Sequence, residues 1–177
     1  THWLSVLVLV VTGVLVWRNA LPDGVALSAF NDMFVLDGMA TILKLFVLLV
    51  TIAVCLYGRV YLRDRNLHIG EFYLLILFAT LGMMLLVSAG NMITVYLGLE
   101  LLTLSQYALV ALNRDSSASS EAAIKYFVLG ALASGLLLYG MSMIYGATGT
   151  LDLAKIHVVV GDLVNSPHRT VLAFGLV

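Results

Sequence analysis

Long apolar runs, separated by short polar stretches, dominate the pattern along the chain. A helix that crosses a lipid bilayer needs about 20 mostly apolar residues. The runs are too long for strands and do not alternate apolar with polar positions, so they predict helices. Six segments emerge, the first short and the last cut off by the end of the sequence: about residues 3–17, 38–57, 72–88, 92–112, 119–145 and 170–177.

This pattern predicts one all-α membrane domain, a polytopic transmembrane helical bundle with about four complete and two truncated helices. The connections contain turn residues. Asn19–Asp37 includes Pro22-Asp23-Gly24 and is predicted to be a loop with room for a short interfacial helix. Ala89-Gly90-Asn91 is predicted to be a tight turn, and Gly146–Pro167 a longer loop.

Composition supports a membrane location. Of 177 residues, 62% are hydrophobic and 11% are charged, whereas a soluble domain has about 25% charged residues. The net charge of -1 gives no indication of a nucleic-acid partner. A single cysteine, Cys55, excludes an internal disulfide. Because the chain opens without an initiator Met and closes inside an apolar run, we expect it to be a fragment of a longer protein.

Basic residues predict the orientation. Cytoplasmic loops carry an excess of lysine and arginine. One side of the predicted bundle collects four arginines in two short loops, namely Arg59, Arg63, Arg65 and Arg114. The other side has three basic residues in longer loops, Arg18, Lys155 and Arg169, together with five aspartates. The arginine side is therefore predicted to face the cytoplasm.

Glu100 is the main candidate for function. It lies near the middle of the fourth segment, where a carboxylate is costly, and such residues commonly mark ion or proton paths. Tyr96, Thr103 and Tyr107 share one helix face with it at spacings of four, three and seven residues. We predict that Glu100 transfers protons and that the other three line a channel. The alternative is a buried carboxyl group that only holds helices together.

Two lysines are further candidates. Lys125 lies about one and a half turns inside the fifth segment, where desolvation would suit it to proton transfer and snorkelling is the alternative. Glu100 should lie about 20 Å deep and Lys125 about 8–9 Å, so a water-bridged relay is expected rather than a direct salt bridge. Lys44 is a candidate for lining a channel, although snorkelling accounts for it more simply.

Small residues in the fifth segment predict close helix packing, namely Gly130, Ala131, Ser134 and Gly135.

The sequence shows no pattern typical of a metal site, a catalytic nucleophile or a dinucleotide site. The four histidines lack paired metal-ligand spacing, and no nucleophile elbow or dinucleotide fingerprint occurs. We therefore expect no metal and no redox cofactor in this chain.

Three stretches resemble subunit N of bacterial NADH:quinone oxidoreductase, the antiporter-like membrane subunit of respiratory complex I. Tyr96–Leu112 is similar to its glutamate-bearing helix, Ser120–Gly140 to the next helix, and Tyr145–Leu153 to the loop that follows. The run around Lys125 is the more specific part, because it separates subunit N from its sister subunits.

The resemblance implies roles for several residues. Glu100 would be the glutamate that interacts with a lysine on the seventh helix, which should lie beyond Val177, and Lys125 matches the sixth-helix lysine. Lys44 matches no motif of the family. Flavin, iron–sulfur clusters and quinone would belong to partner subunits, while this chain would move protons as a multi-pass protein of the bacterial inner membrane.

Two other functions remain open. A subunit of a multisubunit cation/proton antiporter would share the glutamate helix, so Glu100 does not discriminate; the sequence around Lys125 favours complex I. A structural membrane scaffold is the third hypothesis. The lipid bilayer and other membrane-arm subunits are the expected partners.

Overall fold

The computed structural model describes residues 2–22, 24–65, 67, 69–163 and 169–176. Four of its helices, α2 to α5, are long and apolar enough to cross a membrane. The predicted polytopic helical bundle is thus confirmed. The helices are α1 His2–Arg18, α2 Gly38–Asp64, α3 Ile69–Val87, α4 Met92–Val110, α5 Ser117–Thr148, α6 Leu153–Leu163 and α7 Arg169–Leu176. Asp23, His68, Pro167 and His168, which entered the predictions for loops and histidines, lie outside the described residues.

Neighbouring helices pack in chain order. Helices α1, α2 and α3 contact one another, α3 packs on α4, α4 on α5, and α5 on α7. The centre of the first group is a cluster of buried side chains contributed by α1, α2 and α3: Leu9, Leu48, Cys55, Tyr73 and Ile76. Many apolar side chains remain on the outer faces, which suits a bundle whose solvent is lipid.

Helices α3 and α4 approach closely because glycines face each other. A Cβ built on Gly82 would lie 2.8 Å from the carbonyl oxygen of Gly98 and 2.8 Å from the backbone nitrogen of Leu102. Small residues at such positions allow backbones to meet, which increases van der Waals contact between membrane helices. A similar contact joins α5 and α7, where a Cβ on Gly140 would lie 2.8 Å from the carbonyl oxygen of Gly175.

One end of the bundle, called here the arginine-rich end, differs from prediction. Helix α2 continues past its predicted end at Tyr57 to Asp64, so Arg59 and Arg63 lie on the helix and not in a loop. The prediction was wrong because it ended the helix with the apolar run, although arginine is a good helix former. Nearby, Arg114 pairs with Glu71 at 2.6 Å, and both side chains are exposed.

The opposite end, called here the hairpin end, contains two features that were predicted as loops. Between α1 and α2, strands β1 Leu27–Ala29 and β2 Phe34–Leu36 pair antiparallel, and no helix forms in the described part of this connection. The hairpin turns through three residues with φ between 55° and 63°, Phe30, Asn31 and Asp32. Asn and Asp tolerate this left-handed region better than most residues, but strands of three residues are too short to show an alternating pattern.

Helix α6 is the second such feature, because it occupies part of the predicted loop Gly146–Pro167. Asp152 caps it: its Oδ1 accepts hydrogen bonds from the backbone N–H groups of Ala154 at 2.9 Å and Lys155 at 3.1 Å. Eleven residues are too few to cross a bilayer, and a search for membrane-length apolar runs therefore missed the helix.

The α3–α4 turn is bonded on both sides at the hairpin end. The backbone N–H of Val35 donates to the carbonyl of Ser88 at 2.8 Å, and that of Gly90 donates to Met33 at 3.1 Å. From the α5–α6 side, the N–H of Leu153 donates to the carbonyl of Gly90 at 3.0 Å. These bonds supply partners to backbone groups that no helix satisfies, and they fix the hairpin, the turn and α6 relative to one another.

We predict that Gly82→Ala destabilises the bundle by about 1–3 kcal/mol, because the added methyl group would meet backbone atoms that cannot move aside. Gly135→Ala is the matched control: it is also helical, but a Cβ there has no neighbour within 4 Å. The control should be neutral or stabilising by up to about 1 kcal/mol. Thermal unfolding in detergent measures both, and equal midpoints for the two variants would contradict this packing.

A second prediction concerns acid. The pKa of Asp152 is held below its ordinary value of 3.8, chiefly by the hydrogen bond from the Lys155 backbone N–H. A carboxyl whose pKa is lower in the folded state stabilises that state above 3.8, and the contribution is lost as the pH falls through the lower folded value. The protection of amides at the start of α6, measured as the ratio of the intrinsic exchange rate at each pH to the observed rate, should therefore fall below pH 3.8. In Asp152→Asn, which still caps the helix, this loss of protection should disappear.

Candidate functional site

The polar stripe of α4 faces α5 in the structure. The hydroxyl of Ser134 on α5 donates a hydrogen bond to Oε1 of Glu100, and it lies 3.2 Å from the hydroxyl of Tyr96. The Glu100 side chain is half-buried. The contact joins Glu100 and Tyr96 on one helix to a single serine on the next.

The three groups form a directional chain. A hydroxyl has one proton to donate and two lone pairs to accept with, so Ser134 cannot donate to both neighbours at once. An ionised carboxylate is the stronger acceptor and receives that proton. The Tyr96 hydroxyl then donates to Ser134, which gives the order Tyr96, Ser134, Glu100. Reversing every hydrogen bond in such a chain moves one proton from end to end.

The other two residues of the stripe do not touch the carboxylate. The Thr103 hydroxyl donates to the backbone carbonyl of Glu100 at 3.3 Å. Tyr107 packs edge-on against the ring of Tyr126, with ring centroids 4.8 Å apart. Its hydroxyl occupies the space that a side chain at Gly130 would need. The small residues of α5 therefore have two roles, since Gly130 admits an aromatic ring and Ser134 supplies a hydrogen bond.

Lys125 lies apart from Glu100, on the outward side of α5. Its Nζ is 2.5 Å from Oε1 of Glu121, one turn earlier on the same helix, and the two side chains are 70% and 66% exposed. An exposed pair of this kind contributes little to stability. The structure does not join Lys125 directly to Glu100.

Lys44 is buried, whereas the simpler explanation from the sequence was a side chain that snorkels to the polar interface. Only 5% of the residue is exposed, and its Nζ lies 4.7 Å from the ring centroid of Phe34 in β2. A snorkelling lysine would place its ammonium group in the polar interface. Lys44 instead points inward because β2, which the sequence did not predict, provides an aromatic face for it. Lys44 lies among helices α1, α2 and α3, called here the α1–α3 group. It is separate from Glu100, Ser134 and Tyr96, called here the Glu100 cluster.

Ser134 is the residue of the site that sequence reasoning did not identify as functional. It was assigned only to helix packing, as one of several small residues. The sequence did contain a signal for this role: a hydroxyl-bearing residue in an apolar segment next to the segment that carries a glutamate. Within the described residues, no group of three or more histidine, cysteine or acidic side chains could hold a metal ion.

Comparison with known proteins identifies the family. Residues 89–177, about half of the chain, match the family described as NADH:quinone oxidoreductase/Mrp antiporter, transmembrane. The chain belongs to this family. The matched region includes the whole of α4 and α5, and therefore Glu100, Ser134 and Lys125.

Curated relatives indicate which subunit the chain resembles. The chain is 48% identical over 180 residues to NADH-quinone oxidoreductase subunit N of Thioalkalivibrio sulfidiphilus, covering 100% of the chain and 37% of that protein. It is 56% identical over 149 residues to subunit N of Thiobacillus denitrificans, covering 84% and 30%. The resemblance to subunit N is confirmed, and the chain spans about a third of the length of these relatives.

Solved structures share the fold. The chain matches respiratory complex I from Thermus thermophilus with a TM-score of 0.69 and 29% identity, over 99% of this chain and 37% of that one. An archaeal membrane-bound sulfane sulfur reductase matches with a TM-score of 0.74 and 26% identity, over 99% and 35%. The Mrp complex of Dietzia matches with a TM-score of 0.74 at 20% identity, over 98% and 20%, and supports the fold alone. The protein is a multi-pass membrane protein.

We predict that Ser134→Ala weakens the α4–α5 contact by about 1–3 kcal/mol, because it removes a hydrogen bond to a carboxylate. The infrared carboxyl band that disappears in Glu100→Gln should also shift in this variant. Ser142→Ala is the matched control on the same helix, since the Ser142 hydroxyl bonds to the carbonyl of Tyr139 at 2.7 Å and, among the described residues, to no side chain. An unshifted carboxyl band in Ser134→Ala would show that the two side chains do not interact.

Proposed function

We propose that the chain is part of a proton-translocating, antiporter-like subunit N of NADH:quinone oxidoreductase, which couples quinone reduction to proton movement. The observation that carries this proposal is a half-buried carboxylate within a membrane helix, hydrogen-bonded to Ser134 with the Tyr96 hydroxyl behind it. Buried carboxylates in membrane helices are costly and commonly belong to proton relays.

The mechanism is electrostatic. When a neighbouring charge moves, the free energy of the ionised Glu100 carboxylate changes, and the group takes up or releases a proton. Tyr96 and Ser134 can deliver or remove that proton by reversing their hydrogen bonds. Thr103 and Tyr107, on the same face of α4, line the route. By resemblance, the opposing charge is a seventh-helix lysine beyond Val177.

Lys125 is proposed to exchange protons between Glu100 and the arginine-rich side through water. Its position near the start of α5 supports this role, because Glu100 lies deeper in the adjoining helix. Proton transfer over that depth requires bridging water rather than direct contact. Until it transfers a proton, the ammonium group lies exposed beside Glu121.

The proposals for cofactors, partners and location follow from the similarity to subunit N. We propose that NADH oxidation, with its flavin and iron–sulfur clusters, and quinone reduction take place in partner subunits of the complex, and that this chain holds no cofactor itself. Its partners are other membrane-arm subunits and the lipid bilayer, with no nucleic acid. The proposed location is the bacterial inner membrane, with the arginine-rich end in the cytoplasm.

A subunit of a multisubunit cation/proton antiporter is the second candidate, because the family that matches residues 89–177 is described as including Mrp antiporters. Identity of 46–61% to proteins named subunit N supports the respiratory function instead. Purification of the full-length protein from native membranes separates the two. Co-purifying NADH:quinone reductase activity supports the first, and cation-dependent proton exchange in liposomes without NADH supports the second.

We predict that Glu100→Gln, in the full-length subunit assembled into its complex, lowers NADH-driven proton pumping by about tenfold or more, since an amide cannot take up the transferred proton. Glu71→Gln is the control: it also removes a carboxylate, but one exposed at the arginine-rich end. Pumping in liposomes is measured with a pH-sensitive dye. Unchanged stoichiometry and turnover in Glu100→Gln would overturn the proposal, and reduced assembly with normal activity of the assembled complex would indicate a scaffold.

A further inference from the structure

A buried lysine lies in the α1–α3 group, apart from the Glu100 cluster. Lys44 is 5% exposed, although the neighbouring α2 residues Ile42 and Phe46 are largely exposed on the outer face. No carboxylate of the described residues lies within ion-pair distance of its Nζ. Its described contact is the Phe34 ring, whose electron-rich face attracts a cation. The protein thus holds a chargeable group in its interior.

The backbone of Phe34 is held in place at the hairpin end. Phe34 lies in β2 and bridges to Ala89 in the α3–α4 turn, and the next residue, Val35, bonds to Ser88 at 2.8 Å. These bonds hold the backbone of Phe34 against the α3–α4 turn, with its ring over Lys44. The residue that contacts Lys44 therefore belongs to the hydrogen-bonded part of the hairpin end.

A cavity of about 520 Å³ lies at the same end of the bundle. Its polar lining includes three carboxylates and one ammonium group, so its formal charge is negative: Asp32, Asp37, Asp152, Lys155, with Ser88 beside them. Ser88 is 1% exposed, and its hydroxyl has no hydrogen-bond partner among the described residues. A buried hydroxyl requires a partner, and a polar cavity of this size has room for several water molecules.

Asp37 connects the cavity to Lys44. It lines the cavity and caps α2, where its Oδ1 accepts the backbone N–H of Ala40 at 2.6 Å. The cap occupies one carboxylate oxygen, and within the described part of the chain Oδ2 has no hydrogen-bond partner. Asp37 also precedes Lys44 by seven residues, about two turns, which places the two on the same face of α2. One carboxylate therefore lines the cavity and lies on the lysine's side of α2.

We propose that Lys44 is a second proton-transfer group, which exchanges protons with the cavity at the hairpin end through Asp37. The Lys44 ammonium gives one proton through water to the Asp37 carboxylate, which leaves a neutral amine and a neutral carboxylic acid. Asp37 then releases the proton to water in the cavity. The ring of Phe34 stabilises the charged lysine between transfers. This inference rests on the proposed proton-translocating function and gives it a second site.

Two substitutions of Lys44 separate proton transfer from charge. Lys44→Met removes both, whereas Lys44→Arg keeps a charge that does not deprotonate in proteins. In the assembled complex in liposomes, both variants should lower NADH-driven pumping by about tenfold or more. Arg18→Met is the control, because it removes an exposed cation at the hairpin end that does not line the cavity. Normal pumping in Lys44→Arg would overturn the proposal and leave Lys44 a structural charge.

Assembly is checked on native gels before pumping is compared. If Lys44→Met does not assemble, Lys44→Arg and Asp37→Asn decide the result, since asparagine also caps a helix but cannot accept the proton. Asp37→Asn should lower pumping as Lys44→Arg does, and normal pumping in it would remove Asp37 from the route. Glu100→Gln is measured in the same series. If Glu100→Gln lowers pumping and the Lys44 variants do not, only this inference fails; if none does, the proposed function fails with it.

Discussion

The need of every buried polar group for a partner inside the bundle is the constraint on which this structure depends, because lipid offers none. Helices satisfy most backbone groups by themselves. At the hairpin end, where the chain leaves helical geometry, strand β2 and the α5–α6 connection bond to the α3–α4 turn from opposite sides. The irregular segments of the fold are therefore those that bond to one another, and the hairpin, turn and α6 form one unit.

The same constraint produces two different environments for charged side chains. Glu100 receives a hydroxyl from the adjoining helix, so its partner belongs to a chain of groups that can carry a proton. Lys44 receives an aromatic face, which stabilises the ammonium form without accepting a proton from it. A proton on Lys44 can therefore leave only towards a carboxylate or water. The two groups lie in different helix pairs, so each can respond to its own surroundings.

Close helix packing links these environments. Helix α3 belongs to the α1–α3 group, which contains Lys44, and it also packs on α4 through Gly82 and Gly98. Helix α4 in turn packs on α5 and places Glu100 at that contact. Backbones in direct contact move together, because a packed interface resists gradual deformation. The same fold occurs in respiratory complex I from Thermus thermophilus and in the Mrp complex of Dietzia.

The sequence by itself determined the class of fold, the principal helices and Glu100 as the main candidate, because apolar runs of membrane length and a carboxylate within one of them have few other meanings. It also placed Tyr96 beside Glu100, since helical spacing defines a face. Only the tertiary structure decided that Ser134 joins those two groups, that β2 covers Lys44, and that α2 carries its arginines on a helix. Each of these depends on contacts between residues far apart in the chain or on short segments, and local periodicity contains no information about either.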